Sequence, residues 1–367
     1  MKIIGIDVAR YGGDIEGTYI GEILVLTVST DEGLTGIGFT SAPKGMGEIF
    51  LNLVRNILAP VVIGEDPRRH LVIWEKMFRA IPRRGGEGFV RLCMSGIDFA
   101  VWDIKAKLVN APVSALFGGD RKLIPTYANC AHHLSPDDLA KRASEYVASG
   151  HKALKIRGSL SHVSLAEATA RVQAVREAIG SDVKLMVDVN GTWDVDTAIQ
   201  QLKAWEPYDV YWLEEPVAPE DFSGYRRVKA NAGNTYIVGG EQNTGLPEFR
   251  TLIDEASIDM IQPNAALTGG ITDWLLIHGY ATAKGVPISP WNLQMVHLHM
   301  AAGLPNVKWV EYFMPDNELL GIQTRLFTGP SIQEVATEEG MFLKAPEAPG
   351  LGLELDPEMQ EMTRIVS

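Results

Sequence analysis

Near the N-terminus, apolar and polar positions alternate with a period of two over residues 3–8, 22–30 and 34–39. These predict three strands of a β-meander, the last two joined by the turn Asp31-Glu32-Gly33. The stretch Tyr11-Gly12-Gly13-Asp14-Ile15-Glu16-Gly17 is too rich in glycine and polar residues for a core element. It reads as a surface loop or, if functional, a lid. Helical periodicity follows over residues 45–58, 70–79 and 88–109, broken by a second glycine-rich loop, Arg83-Arg84-Gly85-Gly86-Glu87-Gly88. Ile97, Val101, Ile104 and Leu108 fall on one helical face, a core stripe. From Pro125 onward strand and helix alternate about every 25 residues. Strands are predicted at 126–130, 152–157, 184–190, 210–214, 236–241, 260–263, 286–289 and 309–313, with helices such as 165–179 and 196–205 between them. Parallel neighbours need helical crossovers, so eight such units predict a parallel barrel wrapped in helices. After the eighth strand the chain is rich in Gly and Pro, and Gly350-Leu351-Gly352-Leu353-Glu354-Leu355 is expected to return to the first domain.

Three of the barrel strands end in an acid. Asp188 closes VKLMVDVN, Glu214 closes VYWLEEP and Glu241 closes YIVGGEQN, at spacings of 26 and 27 residues. Each spacing is one strand-plus-helix unit, so all three carboxylates emerge at the C-terminal mouth, where barrel active sites are built. A single acid after a strand is ordinarily a helix cap or a loop ion pair. Three at this period instead suit a hard cation such as Mg²⁺, which takes a few carboxylates and leaves positions for water and substrate.

Composition narrows the setting. At 367 residues, 46% of them hydrophobic, the chain accommodates a barrel and a second, smaller domain. No apolar run reaches the length of a membrane span, and the Met1-Lys2 start lacks a signal-peptide pattern. Cys93 and Cys130 form neither a disulfide framework nor a zinc motif, so a cytoplasmic setting is expected. A formal charge of −13 argues against nucleic acid or anionic membrane as partner. An anionic substrate stays open, because a bound divalent cation reverses the local field.

The segment from Met94 to Lys105 (MSGIDFAVWDIK), then Pro112 and Leu116-Phe117-Gly118-Gly119, resembles the capping-domain signature of the enolase superfamily. Asp188-Val189-Asn190, Leu213-Glu214-Glu215-Pro216 and Gly240-Glu241 resemble its three metal-ligand motifs, in the mandelate racemase/muconate lactonizing enzyme-like subgroup. The resemblance spans essentially the whole chain. It implies an α/β fold: a (β/α)₇β TIM-type barrel with an α+β capping domain built from both termini. The expected boundaries are 1–124 for the N-terminal part of the cap, 125–325 for the barrel and 326–367 for the returning tail. The resemblance further implies that Asp188, Glu214 and Glu241 bind Mg²⁺, with Glu214 preferred over Glu215, and that Asn190 reaches metal-bound substrate. Glu311 matches the acid hydrogen-bonded to the substrate carboxylate. The shared step is abstraction of the proton α to a carboxylate, and the partner implied is a small-molecule carboxylate. Proteins of this architecture commonly assemble as dimers or octamers.

The chain departs from the pattern at two places. The subgroup's Lys-x-Lys reads Lys155-Ile156-Arg157, and arginine titrates too high to be an ordinary base. Lys155 is therefore given proton transfer, and Arg157 the role of anion clamp or replacement at the base position; both also suit a plain neutralising role beside the acids. Second, Trp291 stands where the subgroup often has a histidine, and Asn264 where it has the paired aspartate. Neither exchanges protons usefully near neutrality, so both count as substrate-binding positions. His297 and His299, in the following helix, are assigned to packing. With one face of the α-carbon lacking a proton group, dehydration of an acid sugar to a 2-keto-3-deoxy acid is the expected reaction. Racemisation or epimerisation, cycloisomerisation of a sugar lactone, and non-catalytic binding of acid sugars are the alternatives. Tyr11, Tyr19, Arg83, Arg84, His132 and His133 are unranked candidates for helping the leaving hydroxyl depart.

Overall fold

The structure is a computed structural model. It describes the chain except residues 16–17, 84, 131–133, 159–163, 318–320 and 366–367, and except the side chains of 14, 15, 18–20 and 323.

The N-terminal meander is β1 (Ile3–Ile15), β2 (Thr18–Thr30) and β3 (Thr35–Ala42), all antiparallel. Of the glycine-rich stretch expected as a loop, residues 11–15 are instead strand, and Glu16 and Gly17 lie outside the described residues. β1 and β2 stay paired from Ile3↔Thr30 out to Ile15↔Thr18, so the glycines extend a long hairpin. Tyr11 is buried there. Its hydroxyl donates to Gln360 Oε1 at 3.3 Å and accepts from Arg364 Nη1 at 2.8 Å. That places it against the C-terminal tail and removes it from the leaving-group candidates.

The expected helix over 45–58 divides into Gly47–Asn52 and a wider turn, Leu53–Leu58, before a last short segment, Ala59–Val62. His70–Arg79 forms where expected. The helix Phe89–Leu108 is buried almost all round, because it lies between the meander and the barrel. Its approach to the sheet needs glycine: a Cβ on Gly38 would sit 1.9 Å from Gly96 O, and one on Gly36 2.1 Å from Ala100 O. Ile97, Val101 and Ile104 are buried as the stripe predicts, but Leu108, in the last turn, is 40% exposed.

A second stripe on this helix, Arg91, Ser95, Asp98 and Trp102, recurs at helical spacing and docks on the barrel. Arg91 Nη1 donates to Asp273 Oδ2 at 2.5 Å, and Ser95 Oγ to Ala266 O at 2.8 Å. Asp98 accepts from Thr272 N at 2.9 Å and Thr272 Oγ1 at 2.5 Å, and Trp102 Nε1 donates to that same hydroxyl at 2.9 Å.

The barrel strands are β4 (Leu123–Asn129), β5 (Ala153–Arg157), β6 (Lys184–Asp188), β7 (Val210–Glu214), β8 (Tyr236–Gly239), β9 (Met260–Ile261) and β10 (Val310–Phe313). They pair in chain order, all parallel, and β10 returns to β4. The expected strand at 286–289 shrinks to single bridges, Ile261↔Ile288 and Ile288↔Val307, which close the gap between β9 and β10. Barrel helices begin where a side chain satisfies the first free amides: Ser135, Ser164, Asp194 and Asp221 accept from Asp138, Glu167, Thr197 and Gly224. Inside, Tyr127, Ala153, Met186, Trp212, Val238 and Met260 form one apolar layer beneath the mouth.

The tail returns to the cap as expected: Leu351 N donates to Asp103 Oδ1 at 2.7 Å, and Arg364–Ile365 pairs with β1. On the way it adds a hairpin, Glu334–Thr337 with Gly340–Lys344, whose second strand runs antiparallel to β4.

Candidate active site

Two residues above the apolar layer, the barrel interior turns polar. The strand period of two puts Asn129 above Tyr127, Lys155 above Ala153, Asp188 above Met186 and Glu214 above Trp212. β8 ends earlier, and Gly240, at φ +113, turns the chain so that Glu241 enters the same space.

Asp188, Glu214 and Glu241 converge, each offering a carboxylate oxygen within 4.8 Å of the others, all buried. Adjacent Glu214 and Glu215 are separated by the backbone. Glu215 has a φ of +44, and its Oε2 accepts from Gln242 Nε2 at 2.6 Å, whereas Glu214 joins the cluster. Asn190 is tied to two of the acids: its amide donates to Asp188 Oδ1 at 2.8 Å and its Nδ2 to Glu241 Oε1 at 3.2 Å.

Lys155 is buried among carboxylates. Its Nζ is 2.6 Å from Glu214 Oε1, 2.9 Å from Glu311 Oε1 and 4.0 Å from Asp188 Oδ2. Burial pulls its pKa down, but Glu214 and Glu311 overcome that and hold it well above the ordinary lysine value. Burial pushes the Glu214 carboxyl up to about 7, with Lys155 pulling the other way and Asp188 adding to the rise. Burial, then Asp188, raises Glu241 well above the carboxylate range, and burial takes Glu215 to about 8. Arg157 is more open, 26% exposed, with Nη2 3.7 Å from Asp188 Oδ2.

Glu311 is held from three sides: Asn129 Nδ2 donates to Oε1 at 2.7 Å, Lys155 shares that oxygen, and Asn292 N donates to Oε2 at 2.8 Å. Trp291, half-buried, immediately precedes that amide. Asn264 is buried and already occupied: its Oδ1 accepts from Ala266 N at 2.8 Å, capping a short helix. His297 is a structural residue. Nδ1 lies 2.6 Å from Asn292 O, Nε2 faces Ala265 N at 3.2 Å, and burial lowers its pKa to about 4. Burial does the same to His299, whose Nε2 meets Leu351 O at 3.1 Å. Arg83 is exposed, with φ +67. Arg84, His132 and His133, and the Tyr19 side chain, lie outside the described residues.

The profile described as enolase C-terminal domain-like matches residues 138–359, and the mandelate racemase / muconate lactonizing enzyme N-terminal domain matches residues 18–118. The chain belongs to the mandelate racemase/muconate lactonizing enzyme family of the enolase superfamily. Within this family it is 32% identical to L-talarate/galactarate dehydratase of Salmonella typhimurium, over 84% of this chain and 77% of that protein. It is 29% identical to 3,6-anhydro-alpha-L-galactonate cycloisomerase of Streptomyces coelicolor, over 91% of this chain and 89% of that protein. Among solved family structures, L-talarate dehydratase from Polaromonas sp. JS666, complexed with Mg and L-glucarate, superposes with a TM-score of 0.88 at 31% identity. The match covers 99% of this chain and 98% of that one.

Sequence reasoning overlooked Asn129 and Asn292. Asn129 was legible as the inward residue at the end of the first strand. The Asn292 contact is made by a backbone amide, which no side-chain pattern announces.

Proposed function

We propose that the chain is a Mg²⁺-dependent lyase. It removes the proton α to the carboxylate of an acid sugar and expels the β-hydroxyl as water, leaving a 2-keto-3-deoxy acid. The convergence of Asp188, Glu214 and Glu241 beside Lys155 carries the reading. The donor set fits the ion: three carboxylates, with Glu214 Oε2 and Glu241 Oε2 buried and unpartnered, match a hard oxygen-seeking cation. Bound there, Mg²⁺ supplies the positive charge that stabilises the enediolate left when the α-proton departs.

The remaining work falls to the chain. While Glu214 Oε1 holds the Lys155 ammonium, Lys155 can only donate; once Glu214 turns that oxygen elsewhere and the ammonium has given a proton to solvent, the neutral Lys155 amine accepts the α-proton. The electron pair of the broken C–H bond passes first into the enediolate, then forms the Cα–Cβ double bond as the β C–O bond breaks. The departing hydroxide takes a proton from the Lys155 ammonium or solvent and leaves as water, and the enol tautomerises to the ketone with a solvent proton added at Cβ. Arg157, at the open edge beside Asp188, stabilises the departing oxygen as a fixed cation. Gln262, Asn264, Ser289 and Trp291, on the far side, carry no group that titrates near neutrality, which favours one-sided elimination over racemisation. Relatives named for dehydrating L-talarate, galactarate and arabinonate support the substrate class.

One observation favours a second reading, a binder of acid sugars without turnover: Lys155 is held as an ammonium between two carboxylates. A Mg²⁺-dependent screen of aldonates and aldarates for 2-keto-3-deoxy products decides between them. Product that vanishes on chelation and in Lys155→Ala supports the lyase. Deuterium exchange without product points to an epimerase, and silence in both assays to the binder.

A further inference from the structure

Counted around the barrel, β5 is the second stave and β9 the sixth of eight, so they face each other across the mouth. Lys155 stands on β5. Gln262, just past β9, is opposite. It follows Met260 by two residues and so shares the interior face of that apolar layer, and its amide continues the ladder, donating to Gly239 O at 2.8 Å. Ser289, on the next stave, donates its amide to Ile261 O at 3.0 Å. Its neighbour Ile288 packs outward among the helices, which turns Ser289 inward.

Both side chains are fully buried, and neither amide atom of Gln262 nor the Ser289 hydroxyl has a hydrogen-bond partner. A buried primary amide without partners opposes folding, because it has surrendered its water and gained nothing. Two such groups on adjacent staves of the mouth indicate a ligand that is not protein. Tyr127 and Trp212 also carry unpartnered atoms, but one layer deeper, two residues before their strands end.

An amide that both donates and accepts, beside a hydroxyl that does the same, matches the hydroxyl groups of a polyol chain. We propose that Gln262 and Ser289 form a neutral subsite that hydrogen-bonds substrate hydroxyls on the face opposite Lys155 and selects polyhydroxylated over unsubstituted carboxylates. The proposal rests on the acid-sugar reading above and adds the residues that recognise the chain of the sugar. A neutral pair holds that face without exchanging protons with it.

The test is calorimetric binding in Mg²⁺ of two matched pairs, galactarate with adipate and galactonate with hexanoate. Within each pair the carbon number and the carboxylates are the same and only hydroxyls differ. Wild type is expected to prefer the hydroxylated acid in at least one pair by tenfold or more. Gln262→Met and Ser289→Ala should each lose most of that preference while leaving the unsubstituted acid unchanged. Gln262→Met should also melt at the same temperature or higher, since it removes an unpartnered amide; a merely structural glutamine would lower it. A wild type without preference in either pair, or variants that weaken both members of a pair equally, would overturn the subsite. Turnover is scored separately. Selective binding without dehydration would sink the lyase and keep the subsite, whereas dehydration indifferent to both substitutions would do the reverse.

Discussion

The Lys155 ammonium lies 2.6 Å from Glu214 Oε1, and both groups are shut away from solvent. One residue therefore serves as counter-ion to the acids and, in the proposed reaction, as base. The two roles separate by substitution. Lys155→Met leaves Glu214 and Glu311 without their cation and should destabilise the metal-free protein by about 3–5 kcal/mol, read by denaturant melting in chelator. Lys155→Arg keeps a cation but cannot give up its proton, so it should retain most of that stability while losing turnover by roughly 10²–10⁴-fold. Undiminished turnover in the arginine variant would show that Lys155 is a counter-ion only.

Magnesium should stabilise the folded chain by mass action, by about 2.7 kcal/mol at a hundredfold excess over Kd. Asp188→Asn and Glu241→Gln should each abolish most of the rise in melting temperature. A rise that survives both would place the ion elsewhere.

The same site sets a pH dependence. Burial raises the Glu214 carboxyl from 4.5 to about 7, so the folded state favours its protonated form. Its contribution to stability is complete below the unfolded value of 4.5 and is lost as pH climbs through about 7. Mg²⁺ needs the ionised form, so its stabilising effect should grow across that window. Melting curves with chelator and with Mg²⁺ between pH 5 and 8 should diverge as pH rises; parallel curves would contradict the assignment.

At the junction between cap and barrel, burial outweighs the Thr272 hydrogen bonds and pushes Asp98 from 3.8 up to about 7. Lys105 on its own helix lowers it and Asp273 on the barrel side, itself paired with Arg91, raises it. The sign is again a stability lost as pH rises towards 7. Asp98→Asn, of the same shape but always neutral, should gain on wild type between pH 6 and 8 in Mg²⁺-saturated protein. A constant difference across that range would show that Asp98 does not titrate there.

Restoring a titratable pair on the neutral side should change the outcome of the reaction. In Asn264→Asp with Trp291→His, the aspartate can still cap the helix at Ala266, and the histidine gains a proton group near neutrality. Solvent deuterium should then enter with inversion at the α-carbon. Continued one-sided chemistry would mean that position 291 does not face the substrate.

Much of this was legible because it is local. The acids at 188, 214 and 241 each follow an apolar run, and strand alternation fixes which way Asp188 and Glu214 point, while the turn at Gly240 brings Glu241 in beside them. Tyr11 misled for an equally physical reason: glycines usually break a strand, but here the cross-strand ladder from β2 carries β1 through them. Position 286–289 erred in the opposite direction, an apolar run that keeps only one bridging residue.

By itself the sequence determined the barrel's period, the strand ends that bear acids, and the helix that docks the cap, since each depends on neighbours within a few residues. The resemblance preferred Glu214 to Glu215, but only the tertiary structure supplies the reason: the left-handed backbone at Glu215 turns that side chain towards Gln242. It alone decided that Lys155 is clamped by Glu214, 59 residues away on β7, and by Glu311 on β10 across the closure, and that Gln262 and Ser289 face the mouth unpartnered. Those relations arise when the eight staves close into a ring, which brings together side chains that no stretch of sequence places side by side.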